Sequence, residues 1–232
     1  MDTPRAPKFI DIISQFGDNG RIEPDTCDAL LRQFQQPNPN GSLMDWRHFL
    51  EADFSMRVVA GEDYISSRSI QHQWVGKHIK NDISKCMLFM TMVRVQDMWT
   101  SIAWDMKRRQ LTIHAAGNRN GVWDAHDNIV HMLKTAFRRC IEVFFEGWVV
   151  DWENWAIVYT TASTLSDTKP YGYDYGPEAL QFCRTFDGVK QGGRLTSPST
   201  ECASSDELLF DLLHLNANTG SLPPEFIQDI DD

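Results

Sequence analysis

The sequence lacks the short motifs that assign many enzymes to a class. Its 232 residues contain no Cys-X-X-Cys pair, no His-Glu-X-X-His zinc motif, no phosphate-binding loop and no dinucleotide-binding glycine fingerprint. His72 and His78 lie six residues apart, whereas a pair of helical metal ligands needs a spacing of about four. We therefore expect neither a metal ion nor a cofactor.

Long apolar runs are also missing. No stretch approaches the roughly 20 residues that a membrane-spanning helix needs, and the N-terminal residues from Met1 to Pro4 do not begin a secretion signal. The five cysteines are odd in number and widely spaced, which argues against a disulfide framework. These absences predict a soluble protein with reduced thiols, in the cytosol or the nucleus.

Basic residues are scarce at the C-terminal end. Residues 195–232 contain eight acidic residues and no Lys or Arg, which leaves 22 basic and 24 acidic residues in positions 1–194. The net charge of −10 therefore comes mainly from the C-terminal tail. A chain without a dense basic stripe is a poor candidate for binding nucleic acid or an anionic membrane.

Apolar residues, in contrast, are plentiful. They make up 42% of the chain and include eight Trp and thirteen Phe, enough to fill the core of one domain. The apolar periodicity predicts helices over about 9–16, 24–34, 42–50, 66–79, 124–144, 176–186 and 206–215. Apolar runs over 86–95 and 155–160 predict buried strands. The pattern is that of an α+β domain.

Residues 98–115 carry the clearest local pattern. Residues 99–104 and 111–113 are rich in β-branched and aromatic side chains, and residues 107–110 form a charged tip between them. This arrangement predicts a hairpin of two antiparallel strands. Together with the run at 86–95 it supplies three strands of the central sheet.

The hairpin and a later motif resemble the papain-like cysteine proteases that release ubiquitin-like proteins such as SUMO, especially the plant members of that family. The shared features are, in chain order, Trp99 opening a strand, Asp105 before a basic tip, the returning strand, and Gly172-Tyr173-Asp174-Tyr175-Gly176 before a helix. The resemblance covers about residues 43–190 and implies a papain-like fold, with a mixed sheet of about five strands flanked by helices. Residues 1–42 are then a helical arm or a packed extension, and residues 191–232 a loop, a short helix and an acidic tail.

The resemblance also implies that the catalytic set is lost. The family's catalytic His, orienting Asp, oxyanion-hole Gln and nucleophilic Cys correspond here to Met98, Ala115, Lys169 and Tyr175. A thioether accepts no proton at neutral pH and alanine has no polar side-chain atom, while a tyrosine hydroxyl is a weak nucleophile because it stays almost fully protonated. Thiol proteolysis needs a nucleophile, a base and oxyanion donors together. The sequence therefore predicts a protease scaffold without peptidase activity.

A residual cysteine-type peptidase is the weakest alternative. It would need a relocated pair such as His114 and Cys183. Strand alternation places His114 on the opposite face from Ala115, and the eight helical residues between Tyr175 and Cys183 span about 12 Å.

The leading hypothesis is a pseudoprotease that binds a protein partner such as a ubiquitin-like protein. By resemblance, Trp99 covers a channel for the partner's tail, and the predicted binding residues are Trp99, Trp104, Gly172, Asp174 and Tyr175. The alternative without a binding role is that these tryptophans are buried strand residues. A different hypothesis is an adaptor or antagonist that sequesters its partner through the N-terminal arm, or through the acidic helix with Asp206, Glu207 and Asp211.

Overall fold

A mixed five-stranded sheet with helices on both faces forms the centre of the computed structural model. The structure describes residues 13–16, 21–35, 46–77, 79, 82–118, 123–161, 173–188, 207–210 and 212. The strands lie side by side in chain order. They are β1 (Arg47–Phe49), β2 (Leu88–Val95), β3 (Met98–Asp105), β4 (Gln110–His114) and β5 (Ala156–Thr160). The predicted α+β class and the sheet of about five strands are confirmed.

Strand direction explains how the sheet is connected. The consecutive strands β2, β3 and β4 are antiparallel, as the hairpin pattern predicted. The two outer strands run parallel to their neighbours, and parallel strands need long crossover connections. Those crossovers carry helices.

Five α-helices have bounds within the described residues. They are α1 (Pro24–Phe34), α2 (Ala52–Val59), α3 (Arg68–Val75), α4 (Asp124–Phe144) and α5 (Gly176–Thr185). Pro24 and Pro177 stand at the first or second helical position of α1 and α5, where the missing N–H costs no hydrogen bond. Asp124 is the first residue of α4, where its negative charge stabilises the helix N-terminus.

Alternating side chains of β2 and β3 separate two hydrophobic cores. Phe89 and Trp104 join α2, α3 and α4 in the larger core, whereas Met90 and Trp99 join α1 and α5 in the smaller one. Both faces of these strands are therefore buried, which is why β2 reads as a continuous apolar run. The smaller core contains the residues that position the candidate site.

Two sequence predictions are wrong. The helix expected over residues 42–50 is, in its described part, the strand β1, because pairing with β2 overrides a weak helical periodicity. The strand over residues 155–160 is not buried on both faces: β5 ends the sheet, and Ile157 is 45% exposed. The helix expected over 66–79 is shorter, since it ends at Val75 before Gly76.

Candidate functional site

The first residue of β3 and the last residue before α5 meet at one end of the sheet. Met98 packs against a small buried cluster formed by Ala116, Tyr173 and Tyr175. The backbone of Gly117 lies between them: a Cβ there would come 2.5 Å from Cε2 of Tyr175 and 2.7 Å from Sδ of Met98. The structure therefore brings Met98 and Tyr175 together.

The other two predicted catalytic positions differ in their placement. Ala115 is buried, and its amide donates to the Thr160 carbonyl at 3.0 Å. It is not a member of the cluster around Met98, whereas its neighbour Ala116 is. Lys169, like the predicted binding residue Gly172, lies outside the described residues. Around Met98 and Tyr175 the cluster thus presents one thioether and two phenol rings.

Asp174 is the centre of the polar contacts in this region. Its carboxylate accepts from the amide of Gly176 at 3.0 Å and from the amide of Ile22 at 2.9 Å. Arg94 lies 3.3 Å from the same carboxylate. Burial raises the pKa of Asp174, and the Gly176 amide, the Arg94 charge and the Ile22 amide oppose that rise. The Asp174 side chain is therefore used in holding other parts of the chain in place.

Residues 21–23, which we call the strap, cover Trp99. The indole N–H of Trp99 donates to the Ile22 carbonyl at 3.0 Å, and Arg94 donates to the same oxygen at 3.2 Å. Ile22 also fills the space beside Gly176, where a Cβ would lie 2.5 Å from Cγ1 of Ile22. Trp99 is 0% exposed, in the core that α1 and α5 also form. A ligand reaches its ring only if this packing opens.

Trp104, the second predicted binding tryptophan, lies on the opposite face of the sheet. Its ring stacks on Phe137 of α4, with centroids 4.6 Å apart and an interplanar angle of 10°, and it is fully buried. Trp99 and Trp104 are five residues apart along one strand, and alternation therefore sends their side chains to different cores. The two tryptophans do not line one channel.

The alternative pair of His114 and Cys183 has the wrong charge states for thiol chemistry. His114 stacks on Phe182 at a centroid distance of 4.4 Å, and burial lowers its pKa to about 4. Burial raises the pKa of Cys183 to about 12, against the opposing effects of a Ser101 hydrogen bond and the Arg47 charge. A reactive cysteine needs a lowered pKa. At neutral pH both groups stay neutral in the fold.

A cavity lies between α1 and the start of α2, away from this cluster. Its volume is about 460 Å³, and its lining contains four acidic residues, one basic residue and two apolar ones: Asp25, Asp28, Glu51, Asp53, Arg32, Pro24 and Met56. Within the described residues, no three His, Cys, Asp or Glu side chains are placed to hold a metal ion. No described helix is long and apolar enough to cross a membrane.

Comparison with known proteins gives matches among solved structures. No family model matches the sequence, and no curated protein matches it. The chain aligns with the SUMO protease Ulp1, its catalytic cysteine oxidised to a sulfenic acid, over 92% of this chain and 85% of that one, at 11% identity and a TM-score of 0.61. The C-terminal Ulp1 protease domain in complex with SMT3, the yeast ortholog of SUMO, aligns over 88% and 80%, at 11% identity and a TM-score of 0.60. A de-sumoylating protease follows at 0.53 and 11% identity, over 88% and 79%.

The chain has the fold of the SUMO protease Ulp1. At these identities the likeness concerns the fold, and the chemistry has to be argued from the residues present.

Within this Ulp1 fold, two residues that shape the site carry no local signal in the sequence. Ile22 lies 152 positions before Asp174, and Arg94 lies 80 positions before it. Neither belongs to a motif, and their roles depend on long-range packing. The one available signal was Asp174 itself, because a carboxylate next to an apolar helix has to find hydrogen-bond donors.

Proposed function

We propose that this protein is a catalytically inactive relative of the SUMO proteases and acts by binding a protein. One observation carries the proposal. Met98 and Tyr175, which by resemblance take the places of the catalytic base and the nucleophile, both lie against Gly117 in one small cluster. The contacts described within this cluster are apolar.

The chemical argument concerns proton transfer. A thiol protease moves the thiol proton to an imidazole and then to the leaving group. Met98 has no site for that proton, and Ala115 has no atom to orient a base. Loss of one triad member costs about 10⁴- to 10⁶-fold in serine proteases, and here three positions are changed. We expect no measurable peptidase activity.

A cleavage assay tests the inactivity. The purified full chain is incubated with SUMO and ubiquitin precursors and with fluorogenic derivatives of their C-termini. The expected result is no cleavage by the wild type, by Tyr175→Phe or by Cys183→Ser. Turnover by the wild type that Tyr175→Phe or Cys183→Ser abolishes would overturn the proposal.

For the partner, we propose the folded body of a ubiquitin-like protein. Support comes from the fold, since the Ulp1 domain that shares it is found in complex with SMT3. The strap argues against recognition of the partner's tail at Trp99, because that ring is 0% exposed and hydrogen-bonded to Ile22. Binding is therefore expected to use the outer surface of the domain.

The adaptor alternative has less support. Its N-terminal arm would have to be open to a partner, yet Leu30 and Leu31 of α1 are 0% exposed and belong to the core that contains Trp99. Near the C-terminal end, Leu208 and Leu212 join the same core, and Glu207 pairs with Arg184 at 3.0 Å. Asp206 and Asp211 lie outside the described residues.

Calorimetric titration with SUMO and with ubiquitin tests the choice of partner. Each is used at full length and without its flexible C-terminal tail, which provides the matched control. Equal affinities for the two forms are expected. No binding of either protein at high micromolar concentration would refute a ubiquitin-like partner, whereas binding that needs the tail would show that the strap opens and that Trp99 is reached.

A further inference from the structure

Asp28 links α1 to the first turn of α2. Its Oδ1 accepts a hydrogen bond from the amide of Ala52 at 2.5 Å, across 24 residues of chain. The residue is 7% exposed and lies on the helix that also supplies Cys27, Leu30 and Leu31 to the core around Trp99. The Asp28 contact therefore helps to fix the helix that continues from the strap.

The charges around Asp28 are mostly of its own sign. Glu51, which precedes α2, and Asp53 in its first turn face it, and Asp25 lines the same cavity. Arg32, the basic residue among the described lining residues, lies 3.4 Å from Glu51 and is 58% exposed. From the other elements packed on α1, Cys183 of α5 faces Cys27, and Arg47 of β1 is directed to the carbonyls of Arg184 and Phe186.

We propose that the docking of α1 is a pH-responsive contact: a protonated Asp28 holds α1 on α2, and ionisation of Asp28 among Glu51 and Asp53 weakens the docking. The contact geometry carries this inference, which does not depend on the proposed function. Both forms of the carboxyl accept from the Ala52 amide, but the ionised form is a buried charge beside two carboxylates.

The direction of the pKa shift of Asp28 agrees with this proposal. Burial raises its pKa from 3.8 to about 7, and the Glu51 charge adds to the rise, while the Ala52 amide and Arg32 oppose it. A raised carboxyl pKa means that the docked helix holds the proton more tightly than the undocked one. The contribution to docking is therefore complete below about pH 4, is lost as the pH rises toward 7, and changes no further above that pH.

Hydrogen exchange measured by mass spectrometry on the full chain tests the proposal. Protection factors for peptides from α1 are taken at pH 5, 6, 7 and 8 and corrected for the intrinsic exchange rate. They should fall by up to about tenfold per pH unit between pH 5 and 7 and level off above pH 7. Peptides from α4 serve as the internal reference and should stay constant.

Asp28→Asn is the decisive variant, because the amide oxygen keeps the acceptor for Ala52 and cannot ionise. Its α1 protection should vary less than twofold over the same range. Asp25→Asn, which alters an exposed carboxylate of the same helix, should behave like the wild type. Glu51→Gln provides a second test should Asp28→Asn fold poorly, and it should move the fall to lower pH.

Three results would overturn the proposal. They are α1 protection that does not depend on pH in the wild type, an undiminished pH dependence in Asp28→Asn, and an equal fall in the α4 peptides, which would mean global unfolding.

Discussion

The contact between Met98, Tyr175 and Gly117 can be tested by adding one methyl group. In Gly117→Ala the new Cβ would lie 2.5 and 2.6 Å from two ring carbons of Tyr175 and 2.7 Å from Sδ of Met98. Ordinary contacts begin near 3.4 Å, so the ring has to move by almost 1 Å. Overpacking of this kind costs about 1–3 kcal/mol, and we expect about 2 kcal/mol.

A double-mutant cycle isolates the contact. Tyr175→Ala removes an almost buried ring at a cost of about 3 kcal/mol. In the double variant the methyl group added at position 117 enters space that the ring has left, and the flexible Met98 thioether can shift away from it. The total loss should then be about 3 kcal/mol and not the additive value of about 5 kcal/mol. The coupling is then about 2 kcal/mol, well above the ~0.5 kcal/mol expected for independent sites.

Urea unfolding followed by circular dichroism measures each free energy of unfolding, provided that the four proteins share one m-value. The control cycle pairs Gly117→Ala with Tyr64→Ala, since Tyr64 packs on Phe54 in the other core, and it should be additive. An additive result for the Tyr175 cycle would show that the ring does not lie over Gly117, and the site as described would be wrong.

Three further predictions concern burial. Burial lowers the pKa of His114 to about 4. The contribution of His114 to the free energy of unfolding is therefore complete above its unfolded pKa of about 6.5 and is lost as the pH falls toward 4. In urea titrations at decreasing pH, His114→Gln should lose about 3 kcal/mol less of this free energy than the wild type. Cys140 and Cys183 are buried and should resist iodoacetamide in the native protein, as intact mass will show; native labelling of either at the rate of free cysteine would contradict the packing. Trp99→Phe should lower the free energy of unfolding by about 1 kcal/mol more than Trp104→Phe, because of the two tryptophans only Trp99 has an indole hydrogen bond to a described residue. Equal losses in urea titrations would contradict the contact between Trp99 and the strap.

The fold was largely predictable because its strongest patterns are local. The run in β2, the hairpin of β3 and β4, and the periodicity of α4 each appear within one stretch of sequence. The strand β1 was missed for a physical reason: three residues carry too little periodicity, and their conformation is set by pairing with β2, about 40 positions later. The exposure of β5 also follows from its place at the sheet edge, and its own sequence does not indicate that place.

The sequence indicated part of the candidate site and none of its long-range contacts. The resemblance singled out Met98 and Tyr175, and the structure brings these two together. It did not indicate that Trp99 would be covered, because the covering residue Ile22 belongs to another part of the chain. It also paired Trp104 with Trp99, although strand alternation separates any two residues an odd number of positions apart.

The strap gives a structural reason for the presence of Asp174 and Gly176 on either side of Tyr175. Asp174 accepts from the backbone of Ile22 and pairs with Arg94, and Gly176 leaves the space that the Ile22 side chain fills. Arg94 in turn lies over the Trp99 ring, 5.1 Å from its centroid. Changing Asp174 or Gly176 would therefore disturb the packing of α1, the strap and the start of β3 at once. Both residues are required by packing alone, so their presence is no evidence for peptidase activity.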